Sequence, residues 1–132
     1  MSQPTATHAR PVSPHLTVYR WRPTMAMSIA HRITGIALYF GMLLVVAWLV
    51  AAASGPAWFE RADWLLGSWF GILVLVGFTW ALFHHLFGGV RHYIWDTGVG
   101  MGKETSTRLA WLTLAASLVS TALTWAIYVI WF

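Results

Sequence analysis

The chain has 132 residues, 58% of them hydrophobic and only 9% charged, against roughly 25% charged in an ordinary soluble domain. Its formal net charge of +4 comes from scattered basic residues rather than a run, which argues for a lipid bilayer and against nucleic acid as partner. It contains no cysteine, which excludes disulfides, a cysteine-ligated iron–sulfur cluster and covalently attached haem within this chain.

Residues 1–24, MSQPTATHARPVSPHLTVYRWRPT, are polar, basic and broken by prolines. They lack the apolar core of a secretory signal and the arginine-rich amphipathic pattern of a presequence. They are expected to persist as a polar segment on one side of a membrane. Three charge-free runs follow, at 33–55, 64–90 and 109–132. At 1.5 Å per residue each is long enough to cross a hydrocarbon core of about 30 Å. Backbone groups in lipid must be paired within the segment, so the runs are expected to be helices. The predicted fold is an all-α integral membrane protein. Its membrane domain, 25–132, holds three transmembrane helices at 26–54, 62–95 and 105–131. The connection SGPAWFERAD (54–63) reads as a turn, and TGVGMGKETS (97–106) as a glycine-rich loop.

The basic residues predict an orientation. Arg10, Arg20, Arg22 and Arg32 precede or open the first span, and Arg91, Lys103 and Arg108 flank the second connection. Only Arg61 lies in the first connection. This bias puts the N-terminus on the cytoplasmic side (matrix side in an organelle) and the C-terminus on the periplasmic side.

The first span opens with SIAHRITG. Ser28, His31, Arg32, Gly35 and Tyr39 recur at helical spacing and predict one polar stripe at the cytoplasmic end. Such a stripe suits the carboxylates of a haem or a quinone carbonyl. The second span ends in FHHLFGGVRHYIWD (83–96). Here His85 and His92 share a face about 10.5 Å apart along the axis, and His85 sits roughly 9 Å inside the interface marked by Arg91 and Asp96. Gly88 and Gly89 lie one turn from His85, where small side chains either admit another helix or leave space for a flat ligand. Spacing alone leaves three readings open: haem ligation by His85, an interhelical hydrogen bond, and a proton pathway. His84 points about 100° away from His85 and reads as a packing or hydrogen-bonding residue. The third charge-free run, 109–132, has no ionisable group except Tyr128 and reads as structural. A six-coordinate haem would need a second axial ligand from another chain, because only His85 lies at a suitable depth.

Three motifs, RPVSPHLTVYRW (10–21), SIAHRITG (28–35) and HLFGGVRHYIWD (85–96), give a resemblance that covers nearly the whole chain from Arg10. The chain resembles the cytochrome b membrane-anchor subunits of succinate dehydrogenase (succinate:ubiquinone oxidoreductase, respiratory complex II), of the mitochondrial and alpha-proteobacterial type. The resemblance implies that His85 is an axial ligand of haem b, with the second histidine supplied by a smaller anchor subunit. It implies that His31 and Arg32 approach the haem propionates, that Ser28 and Arg32 border ubiquinone, and that His92 and Asp96 support the site. FAD and iron–sulfur clusters would belong to partner flavoprotein and iron–sulfur subunits, where succinate oxidation would occur, so this chain would carry no catalytic residue of its own. The expected location is a bacterial inner membrane rather than a mitochondrial one. The alternatives are the anchor of a related fumarate reductase, or a purely structural anchor without cofactor.

Overall fold

The computed structural model of the protein describes residue 15 and residues 18–131. Most of the 10–21 motif, and Phe132, lie outside the described residues. Among the described residues four helices follow in order: α1 (Pro23–Ala53), α2 (Pro56–Gly67), α3 (Trp69–Asp96) and α4 (Lys103–Trp131). Three of them, α1, α3 and α4, are long and apolar enough to cross a membrane.

Pro23 opens α1 at a position where its missing N–H costs nothing and its fixed φ suits the helix. The helix closes at Ser54, whose N–H reaches back to the Val50 and Ala51 carbonyls and whose hydroxyl donates to Val50 at 2.7 Å. The next stretch differs from the expected turn over 54–63. Pro56 starts a second helix, α2, and its Trp58, Glu60, Arg61, Asp63 and Trp64 are all exposed. Aromatic and charged side chains interleaved in a short helix suit the membrane–water interface. The Arg61 guanidinium lies over the Trp58 ring, 5.0 Å from its centroid.

Ser68 separates α2 from α3. Its backbone is extended, and its hydroxyl oxygen accepts from the Gly71 N–H at 3.1 Å, which caps α3. The second span therefore begins at Trp69, and the helix expected over 62–95 is two helices. At the far end the loop to α4 is fastened by the Trp95 indole N–H, which donates to the Gly100 carbonyl at 3.2 Å.

α3 is central and packs along both α1 and α4. The seam is small and polar, and the outside is oily. Among the described residues, the buried apolar side chains are Ala81 and Ala110, while Thr34, His84, Arg91, Thr113, Ser117 and Thr121 are buried and polar. On α3, residues 81, 84, 88 and 91 repeat at three and four; on α4, residues 110, 113, 117 and 121 do the same. Helices in lipid gain little by hiding leucine from leucine, so small residues and hydrogen bonds govern where they meet. Large side chains such as Leu43, Leu73 and Ile127 point outward instead.

The alternation of helices brings the start of α1, the end of α3 and the start of α4 to one end of the bundle. That end carries the histidines of α1 and α3 with Ser28, Arg32, Arg91 and Asp96. A cavity of about 610 Å³ opens toward the other end, lined by residues that include Trp48, Asp63, Phe78 and Tyr128, and none of the expected site residues reaches it.

Candidate functional site

The two neighbouring histidines of α3 have different surroundings. His84 is fully buried in the seam with α4. Its Nδ1 lies 3.3 Å from the Ser117 hydroxyl oxygen. That hydroxyl donates its proton to the Leu114 carbonyl at 2.8 Å, so His84 Nδ1 is the donor and Nε2 carries the lone pair. This Nε2 is buried and has no partner. The Trp80 ring stands 5.1 Å away on one side. His84 thus makes an interhelical hydrogen bond from inside the protein.

His85 turns toward α1 and is only half-buried. Its Nδ1 lies 3.1 Å from the backbone carbonyl oxygen of His31. A carbonyl only accepts, so Nδ1 carries the proton and Nε2 keeps its lone pair. Unlike Nε2 of His84, Nε2 of His85 is not among the buried unpartnered atoms. The His31 ring stacks on the His85 ring with centroids 4.0 Å apart and planes 7° apart.

The two glycines after His85 divide the roles that their spacing left open. Gly88 packs against the His31 ring, and a Cβ there would collide with its Nδ1. Gly89 has nothing within 4 Å of a Cβ and opens outward one turn from His85. Gly88→Ala is accordingly expected to weaken α1–α3 packing by about 1–3 kcal/mol. Gly77→Ala, in the same helix with nothing within 4 Å, is expected to cost nothing. Thermal denaturation of the two purified variants checks the difference.

The polar stripe of α1 splits. His31 and Gly35 face α3, Ser28 is half-buried, and Arg32 and Tyr39 are exposed. His92 is half-buried and its ring lies 5.2 Å from His31 and 5.2 Å from Trp95. Asp96 is exposed, and among the described residues neither it nor Arg32 forms an ion pair.

Sequence reasoning took Arg91 only as an interface marker. The structure buries it to 2% exposure, with its guanidinium over the Trp95 ring at 5.0 Å. None of its three nitrogens has a hydrogen-bond partner among the described residues. A buried, unpaired guanidinium is costly and calls for an acceptor. The available signal was phase: Arg91 falls seven residues after His84 and shares its inward face.

Taken together, this end of the bundle offers one outward imidazole lone pair with a fixed tautomer, an open glycine notch beside it, and two guanidinium groups nearby. Such a set can ligate one face of a planar metal cofactor and hold acid groups.

Known proteins resemble this chain over most of its length. A family model described as the succinate dehydrogenase/fumarate reductase transmembrane subunit matches residues 6–124. The chain is 43% identical over 119 residues to the succinate dehydrogenase cytochrome b556 subunit of Paracoccus denitrificans, covering 90% of this chain and 92% of that one. It is 33% identical over 116 residues to the protein of the same name from Rickettsia conorii, covering 88% and 90%. It is 37% identical over 113 residues to the mitochondrial succinate dehydrogenase cytochrome b560 subunit of Sus scrofa, covering 84% and 67%. The match takes in α1, α3 and most of α4, and the chain belongs to the succinate dehydrogenase/fumarate reductase transmembrane subunit family.

Proposed function

We propose that this chain anchors a succinate:ubiquinone oxidoreductase in the membrane and supplies half of a haem b site together with part of a ubiquinone site. The observation that carries the proposal is the state of His85. Its Nδ1–H is tied to the His31 carbonyl, which leaves Nε2 as the one nitrogen free to bind iron. A ring nitrogen fixed by a backbone carbonyl is the usual support of a metal-bound imidazole. The Gly89 notch supports a flat occupant beside it. The unpartnered guanidinium of Arg91 supports an acidic one.

In this reading His85 would hold the iron of haem b, which when bound would supply a one-electron carrier. His31 and Arg32 hold the propionates, with Arg91 adding a second guanidinium. Ser28 and Arg32 border the quinone, where the hydroxyl and the guanidinium hydrogen-bond its carbonyl oxygens. His92 and Asp96 support this end of the site. A second histidine ligand would come from another small anchor subunit. FAD and the iron–sulfur clusters reside on the flavoprotein and iron–sulfur subunits, where succinate is oxidised. The subunit sits in a bacterial inner membrane, with its N-terminus cytoplasmic and its C-terminus periplasmic, and protons for the quinone arrive from the cytoplasmic side.

The test is a reduced-minus-oxidised spectrum of the purified complex with its subunits identified by mass. A b-type band in a complex containing a flavoprotein, an iron–sulfur protein and a second small membrane subunit is expected. A complex without a b-type band would leave only a structural anchor, and a preference for low-potential menaquinone would point to fumarate reduction. Orientation is checked separately: a periplasm-active reporter fused after Phe132 is expected to be active, and cytoplasmic placement of that end would overturn the topology.

A further inference from the structure

The contact between His85 and α1 is made to backbone, and three neighbouring residues determine whether it forms. Gly35 faces the ring: a Cβ there would stand 3.0 Å from Cε1 and 3.4 Å from Nδ1 of His85, tighter than a ring in a packed helix pair accommodates without moving. The parallel His31 ring, 4.0 Å away, covers one face of His85 and restricts its rotation. Thr34, 2% exposed, is the third. Its hydroxyl oxygen lies 3.0 Å from the same His31 carbonyl oxygen and 2.9 Å from the Ala30 carbonyl oxygen, so its single proton is shared between two acceptors. The His31 carbonyl thus serves Thr34 as well as His85.

We propose that α1 tunes the His85 imidazole through this carbonyl: Gly35 is a positioning residue that admits the ring, and Thr34 competes with it for the acceptor. The proposal rests on the reading of His85 as the haem ligand and deepens it. A proton donated from Nδ1 to a carbonyl makes Nε2 more basic. A more basic axial ligand favours the oxidised, more positive iron and lowers its reduction potential. Strengthening the Nδ1–H···O contact therefore lowers the potential, and weakening it raises the potential.

Two substitutions move the contact in opposite directions. Gly35→Ala pushes the ring from the carbonyl and is expected to raise the haem midpoint potential, with part of the ferric signal turning high-spin. Thr34→Val removes the competing donor and is expected to lower the midpoint by a smaller amount, with the signal staying low-spin. Gly77→Ala, which meets nothing, is expected to leave the midpoint where it was. The measurement is a spectroelectrochemical titration of the assembled complex, with electron paramagnetic resonance of the oxidised form. A general loosening of the bundle would shift both variants the same way, and that result, or an unchanged midpoint in Gly35→Ala, overturns the proposal. If Gly35→Ala does not assemble, Thr34→Val decides alone: a lowered midpoint supports the proposal, and an unchanged or raised one defeats it. A low-spin signal that survives His85→Ala defeats the ligand assignment itself, which is a separate failure.

Discussion

His85→Ala is expected to abolish the low-spin haem signal of the assembled complex or convert it to high-spin, whereas His84→Ala is expected to keep it. The two histidines are adjacent in sequence and both carry their proton on Nδ1, so the difference lies in where each Nε2 points. That of His84 is buried without a partner in the seam with α4, and reaching it would require parting α3 from α4. That of His85 belongs to a half-buried ring and is not among the buried unpartnered atoms, and Gly89 leaves open space one turn further along α3. Loss of the His85 ring removes the ligand. Loss of the His84 ring removes the hydrogen bond to Ser117, which in a membrane bundle contributes about 0.6 kcal/mol, and leaves a cavity that costs about 1–2 kcal/mol more. His84→Ala is therefore expected to lower thermal stability while retaining haem. The reverse spectral pattern, with haem kept by His85→Ala and lost by His84→Ala, would show that iron binds in the α3–α4 seam.

Much of this was legible in the sequence, for identifiable reasons. The three spans declare themselves because lipid excludes charge over a length set by the bilayer. Helical phase with Gly88, Gly89 and His92 separated His85 from its neighbour, and the structure turns His85 toward α1 and His84 into the seam with α4. Less was legible where a local pattern had two physical solutions. Residues 56–67 contain three charged residues and were read as the end of a turn and the start of a span, but an interfacial helix tolerates the same charges, and the cap at Ser68 ends it. The stripe on α1 was predicted from spacing alone, which cannot say that His31 turns to α3 while Arg32 stays outside. Arg91 was hidden for the opposite reason. A basic residue at the end of a span usually reaches for the interface, and that expectation outweighed the helical phase it shares with His84. The contact of His85 with a backbone carbonyl leaves no trace in side-chain patterns except the glycine at 35.

Arg32→Leu is expected to slow succinate-driven quinone reduction by about 10- to 100-fold, and Ser28→Ala by roughly 2- to 10-fold, in assembled complexes. The scale follows from what each group gives. A hydrogen bond from a charged donor contributes about 1.5–3 kcal/mol and a neutral one about 0.5–1.5 kcal/mol, and each 1.4 kcal/mol is a factor of about ten. Reduction places negative charge on the quinone carbonyl oxygens, so a guanidinium aimed there stabilises the transition state more than the ground state. Arg32 is suited to this because it is exposed and forms no ion pair among the described residues. Ser28 lies one turn earlier on α1 and reaches the same region. Succinate oxidation measured with an artificial acceptor that takes electrons before the membrane should be unchanged in both variants, since the flavoprotein is untouched. Arg32→Leu also removes a group assigned to the propionates, so its haem spectrum is expected to shift, while that of Ser28→Ala is not. Ser28→Ala therefore isolates the quinone. Wild-type rates and quinone affinity in both assembled variants would reduce this part of α1 to an interfacial anchor and move the quinone site elsewhere in the complex.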